Sequence, residues 1–155
     1  VFGWAHVELF VASDAPDTDF TVKLVDVDPD GRAWNLSDSI QRMRYRDGEG
    51  TVAFLRPGEV YQVAPPPLLV ANVFRAGHRL RLEVSSSLFP NYARNLNTAA
   101  DPYTSTAIRV AHNQVWHGGN RLSRLVLPVA PGSSSNPANR ANPANPAVTP
   151  SAPGR

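Results

Sequence analysis

Polar and apolar residues alternate along "HRLRLEVS", residues 78–85. Leu80, Leu82 and Val84 fall on one side of an extended backbone, and Arg79, Arg81 and Glu83 fall on the other. A period of two predicts a strand with one face in a core and the other in water. "HVELFVAS" (6–13) and "FTVKLVDVD" (20–28) are rich in β-branched and aromatic residues and predict two more strands. "RAWNLSDSI" (32–40), "PGEVYQV" (57–63), "STAIRVAH" (105–112), "NQVWHG" (113–118) and "RLVLPV" (124–129) complete the set. No stretch has helical periodicity.

The intervening segments carry turn chemistry. "SDAPDTD" (13–19) offers Ser, Asp and Pro for local hydrogen bonding. "DPDG" (28–31) predicts a hairpin: Pro29 presets the dihedral of the second position, and Gly31 takes the positive φ that follows. "QRMRYRD" (41–47) reads as a polar arm continuing the return strand, and "GGN" (118–120) as a turn. Pro65, Pro66 and Pro67 lack ladder donors and stop the strand before them. Residues 86–104 form a long loop. Short strands separated by turns predict an all-β fold, a jelly-roll-like antiparallel β-sandwich.

From Pro131 the pattern ends. Residues 131–155 contain a near-repeat of Asn-Pro-Ala and almost nothing large and apolar, so a disordered tail is expected there. Residues 1–130 read as one domain, truncated at its N-terminus.

Composition narrows the chemistry. Cysteine is absent, which excludes disulfides, thiolate metal sites and a cysteine nucleophile. Net charge is +2, and 14 of the 15 basic residues are arginine, spread among acids; no nucleic-acid footprint stands out. No run of 18 apolar residues suggests a membrane span, and no signal peptide opens the chain. Because Val1 leads into a strand almost at once, the sequence reads as a piece cut from a longer protein.

Three patterns invite a sharper reading. Ser85, Ser86 and Ser87 could be nucleophiles, but no G-x-S-x-G turn surrounds them, and His78 has no spacing that places it beside them. A strand end whose hydroxyls bond loop backbone is the better reading. "DVDPDG" (26–31) matches the first half of a calcium loop, yet its twelfth position is Ser37 where a bidentate Glu belongs. The hairpin accounts for every residue in it. His6, His78, His112 and His117 lack companion carboxylates at ligand spacing, so polar packing is their expected role and no metal is expected. "RMRYR" (42–46) could line a nucleic-acid groove. A solvated or interface-facing strand suits it better, since arginine also pairs carboxylates across protein contacts.

Taken together and in order, "ASDAPDTDFTVKLVDVDPDGRAWNLSDSI", "PGEVYQV", "NVFRAGHRLRLEVSSSLFPNYARNLNT" and "SRLVLPV" resemble the C-terminal domain of the X-Pro dipeptidyl-peptidase and cocaine esterase (CocE/NonD) family of serine hydrolases. The likeness covers roughly residues 5–130. It implies a jelly-roll sandwich packed against an α/β-hydrolase domain of the same polypeptide, a domain that carries the whole catalytic triad. No residue of this chain corresponds to a triad member, and no cofactor is implied. Where the family continues "PGEVY" into an alternating strand, this chain has "APPPLLVA" (64–71), so that strand should be shortened or lost.

The resemblance implies a non-catalytic domain that braces a hydrolase of ester or X-Pro amide bonds and helps wall its cleft. No nucleic acid or membrane partner is expected, a homo-oligomer is compatible, and the cytoplasm is the favoured compartment. A freestanding binding module for carbohydrate or protein is the alternative; it would need aromatics displayed on one face. Trp4, Trp34 and Trp116 are scattered among strand positions, so some are expected in the core. The loop after residue 85 gathers Leu88, Phe89, Tyr92, Arg94, Asn95 and Asn97, an interface composition. Phe89, Tyr92, Arg94, Asn95 and Asn97 are the candidate contacts with the hydrolase domain. The same loop could instead fold back on its own sandwich.

Overall fold

The computed structural model describes residues 1–48 and 50–130. The expected tail, residues 131–155, lies outside the described residues. The strands are β1 (Phe2–Ser13), β2 (Asp19–Val27), β3 (Ala33–Arg42), β4 (Tyr61–Val63), β5 (Leu68–Ala71), β6 (Arg79–Ser85), β7 (Asn113–Gly118), β8 (Arg121–Leu122) and β9 (Arg124–Val126). The one helical turn among the described residues is a 3-10 turn at Met43–Tyr45. All pairings are antiparallel.

β1 organises the larger sheet. Along one edge it pairs with β4 (Leu9 opposite Val63) and then β5 (Ala5 opposite Leu68). Along the other it pairs with β7 (Phe10 opposite Trp116) and β9 (Val7 opposite Leu125), while β7 and β8 form a hairpin between those contacts. The smaller sheet has the order β3-β2-β6. Alternation puts Ala5, Val7, Leu9 and Val11 of β1 on its inner face, where they meet Phe20, Val22 and Leu24 of β2 in one buried cluster. Leu82 and Val84, the apolar side of the clearest alternating strand, pack against the same cluster. The result is the antiparallel β-sandwich that the pattern predicts.

The hairpin at 28–31 forms as expected. Gly31 has φ +88° and donates its N–H to the Asp28 carbonyl at 3.0 Å, and Arg32 N–H donates to Asp28 Oδ1 at 2.9 Å. Gly119, with φ +61°, opens the two-residue turn between β7 and β8.

One expectation holds in its milder form and two are corrected. The strand expected to be shortened or lost at the proline triplet is shortened: β4 is three residues long, and β5 resumes beyond the prolines with Leu68 and Val70 buried. Residues 64–67 lie opposite only three residues of β1, 6–8, which absorbs the prolines at an edge, and the Pro66 carbonyl accepts the Ser39 hydroxyl at 2.7 Å. "STAIRVAH" is not a strand. Its apolar side chains Ile108 and Val110 are exposed, and its backbone is held singly, as by Arg109 N–H to the Leu96 carbonyl at 3.0 Å. β-propensity counts only where a partner strand and a face to bury are present. Finally, none of the three tryptophans is in the core; Trp4, Trp34 and Trp116 are all exposed, and the interior is filled by aliphatics with Phe20 and Met43.

Candidate interdomain face

The arm "RMRYR" does not remain in solvent. β3 ends at Arg42 directly opposite Asp19, the first residue of β2, and the 3-10 turn then carries Met43 and Arg44 into the interior. Arg42 grips Asp19 with both prongs of its guanidinium, Nε to Oδ1 and Nη2 to Oδ2, each at 3.0 Å. The hydrogen bond to Asp19 raises the Arg42 pKa against the opposing effect of burial. Arg44 Nε reaches Asp17 Oδ2 at 2.6 Å, and its backbone N–H donates to Asp17 Oδ1 at 2.9 Å. Arg46 caps the turn by donating to the Met43 and Ala53 carbonyls and stacks over Tyr61. The solvated or interface-facing reading of 42–46 is therefore corrected: these arginines pair carboxylates and carbonyls within the domain.

Those same side chains fasten the loop after β6. Arg42 Nη2 donates to the Ala93 carbonyl at 2.8 Å, and Arg44 Nη2 donates to the Thr98 and Ala100 carbonyls at 2.7 and 3.1 Å. Asn95, buried among them, donates its amide to Asp17 Oδ2 at 3.0 Å and Asp19 Oδ1 at 2.8 Å. Its side-chain Oδ1 accepts the Asn97 N–H at 2.8 Å, and Asn97 sits at φ +59° and donates to the Arg109 carbonyl. Each of the two carboxylates is thus paired to an arginine and to the Asn95 amide, which is what buried charge requires.

The loop consequently has two sides. Asn95 faces the sandwich, as does Tyr92, whose hydroxyl donates to Asp38 Oδ1 at 3.1 Å, while Asn97 ties the loop to the segment before β7 through the Arg109 carbonyl. Burial, with the Asp38 bond added, raises the Tyr92 pKa. Phe89 is 73% exposed, and Arg94 joins it with Ser87 and Leu96 around an open depression of about 570 Å³. Of the five candidate contacts, Phe89 and Arg94 face outward; Tyr92, Asn95 and Asn97 are engaged internally.

Several of the remaining candidate groups hydrogen-bond within the chain. Ser85 Oγ donates to the Ser87 carbonyl at 3.2 Å, a strand end bonding its own loop. His78 Nδ1 lies 2.9 Å from Asp26 Oδ1, and Asn72 donates to the other oxygen at 3.1 Å. Burial opposes ionisation of Asp26, but the bonds from Asn72 and His78 prevail and lower its pKa. Asp26, the first residue of the half calcium loop, is thereby committed to the sheet. His112 binds Asp14 through both its backbone N–H, at 2.8 Å, and Nδ1, at 2.9 Å. Among the described residues no three His, Asp or Glu side chains converge as metal ligands would.

Sequence comparison supplies the context for this architecture. Residues 1–126 match the family model of the X-Pro dipeptidyl-peptidase C-terminal non-catalytic domain. The chain belongs to that family. Over 133 residues it is 46% identical to the cocaine esterase of Rhodococcus sp. (strain MB1 Bresler), a match spanning 83% of this chain and 23% of that protein. The fold superposes on an α-amino acid ester hydrolase with TM-score 0.77 and 30% identity, over 83% of this chain and 23% of the other. It also superposes on an aminopeptidase from a marine sediment Thaumarchaeota archaeon with TM-score 0.72 and 31% identity, over 81% and 22% of the two chains. The chain thus spans less than a quarter of the length of these relatives. This family domain is a non-catalytic C-terminal part of hydrolases.

The sequence reading missed the Asp17–Asp19–Arg42–Arg44–Asn95 network. A signal was available: Asp17 and Asp19, and again Arg42 and Arg44, are spaced by two, so each pair can point the same way from an extended backbone. Two acids on one segment and two arginines on another, at the same spacing, suit pairing of opposite charges across neighbouring strands.

Proposed function

We propose that this chain acts as the C-terminal sandwich of a longer hydrolase of ester or X-Pro amide bonds, bracing an α/β-hydrolase domain of the same polypeptide and helping wall its substrate cleft. The observation that carries this reading is the loop 86–98. Its interior side is pinned by Asn95 to two buried carboxylates, while its outer side presents Phe89 and Arg94 beside an open depression. An exposed aromatic and a guanidinium on a loop held by a rigid sheet form a contact surface prepared in advance. The fraction of the relatives' length that this chain spans fits a part that works beside a larger body. The binding-module alternative has less support, because residues 1–126 match a domain described as part of X-Pro dipeptidyl-peptidases.

The test is a chimera in which this chain replaces the matched 133 residues of the Rhodococcus cocaine esterase. Esterase activity should be retained, and Phe89→Ala and Arg94→Ala should reduce it or loosen the domains while leaving the isolated chain's melting temperature unchanged. Equal destabilisation of the isolated chain would make the loop part of its own core and end the interface reading.

A further inference from the structure

β1 is apolar on both faces over its first half. Ala5 and Val7 point into the core, whereas Phe2 and Trp4 stand outside, 74% and 57% exposed. The register widens that outer stripe: Leu69 of β5, 58% exposed, lies opposite Trp4, Ala71 lies opposite Phe2, and Val126 of β9, 47% exposed, lies opposite His6. Directly opposite residues of an antiparallel pair share a face, so these side chains form one patch on the outside of the larger sheet. We propose that this patch, centred on Trp4 and Leu69, is the seat of the hydrolase domain.

The smaller sheet shows what a water-facing surface looks like in the same molecule. There Glu83 pairs with Lys23 at 3.7 Å and with Arg81 at 2.7 Å. β6 keeps Arg81 and Glu83 on its outer side, whereas β1 turns Phe2 and Trp4 outward at its start. Beyond the patch, Glu8 and Arg124 make a two-pronged ion pair, both contacts at 3.0 Å, which gives the apolar area a polar rim. An apolar centre with a charged rim is the anatomy of a protein–protein contact.

The occupant follows from the relatives. More than three quarters of their length lies outside the part matched here, and the family domain is C-terminal, so the rest of the polypeptide precedes it. In such a protein that polypeptide runs into β1, whose first residues carry the patch. The assignment rests on the bracing role proposed above, but it uses a different surface from loop 86–98.

The chain contains no cysteine, so single introduced thiols report accessibility site by site. Leu69→Cys and Arg81→Cys are made in the isolated chain and in the cocaine esterase chimera, and maleimide labelling is read by mass spectrometry of the surrounding peptide. In the chimera, labelling of Leu69→Cys should slow by about tenfold or more while Arg81→Cys labels equally in both settings. As a second arm, Trp4→Lys should weaken activity or domain association in the chimera and leave the isolated chain's melting temperature unchanged. Equal labelling of Leu69→Cys in both settings overturns the assignment, even if Phe89→Ala and Arg94→Ala bear out the loop. A chimera without activity overturns both readings together. An isolated chain that is dimeric, and becomes monomeric with Trp4→Lys, assigns the patch to a second copy instead.

Discussion

Arg44 and Asp17 meet at 2.6 Å inside the sandwich, with only 6% and 1% of their side chains exposed. The pair joins the 3-10 turn after β3 to the segment before β2, and through Arg44 Nη2 it also holds the backbone of the long loop. A buried pair of this kind is costly to break, because the survivor is left as an uncompensated charge. Arg44→Ala should therefore destabilise the domain by about 3–5 kcal/mol in urea denaturation. Replacing both partners, Asp17→Asn with Arg44→Met, should cost less than Arg44→Ala alone. A single-variant loss near the value for exposed pairs, below about 1 kcal/mol, would show that water reaches the pair.

Asn95 tests the same network from the loop. Its amide satisfies one oxygen of Asp17 and one of Asp19. Asn95→Ala removes both bonds, and although each oxygen keeps its arginine, the loss should cost about 1–3 kcal/mol, since hydrogen bonds to charged groups are the stronger ones. Limited proteolysis should also speed up between residues 86 and 112, and Phe20→Leu, a core change of comparable cost, should not reproduce that local effect. Uniform loss of protection would mean that Asn95 supports the sandwich as a whole rather than its loop.

How much of this was legible follows the range of the interactions. Leu80, Leu82 and Val84 announce β6 because a strand's face is written in adjacent residues, and Asp28 to Gly31 announce a turn for the same reason. Asn95 gave no such notice of its partners, which lie 76 and 78 residues away. Ile108 and Val110 have the composition of a strand, but neither finds a neighbour to pair with, and a propensity without a partner forms no ladder. Trp4 misled in the opposite sense. Large aromatics are usually sheltered, and its exposure becomes intelligible only when the face it shares with Phe2 and Leu69 is seen to be continuous.

Acid should act on the contact between Asp14 and His112. The His112 backbone N–H, then its ring, hydrogen-bonds the carboxylate and lowers the Asp14 pKa from 3.8 to about 2, with burial opposing. Because the folded value is depressed, the stabilisation is complete above pH 3.8 and is lost as pH falls toward about 2. Both side chains are open to water, so the effect on total stability should be modest and salt-sensitive. Carbon-detected NMR titration should find the Asp14 carboxyl titrating near pH 2 in the parent. His112→Ala removes the ring but keeps the backbone N–H, so the midpoint should move only part of the way back toward 3.8, and an unmoved midpoint would assign the shift to the backbone bond and Arg109 rather than to the ring.

The last prediction concerns how β1 survives a change of partner along one edge. β9 pairs with His6 to Glu8 and β7 with Phe10 to Ser13, and the β7–β8 hairpin leaves the sheet between them. Ser123 closes the gap. Its hydroxyl accepts the Phe10 N–H at 2.9 Å and donates to the Trp116 carbonyl at 2.6 Å, standing in for a backbone rung. The Trp116 carbonyl keeps a second donor in the Ser123 N–H at 3.2 Å, so Phe10 N–H is the group at risk. Ser123→Ala should cost about 1 kcal/mol, the low end for a lost partner because water can reach this edge. Hydrogen exchange at the Phe10 amide should quicken well beyond the global change, and Ser123→Thr should restore its protection. If the Phe10 amide exchanges at the parent rate in Ser123→Ala, the rung is supplied by another group and the hydroxyl is incidental to the sheet.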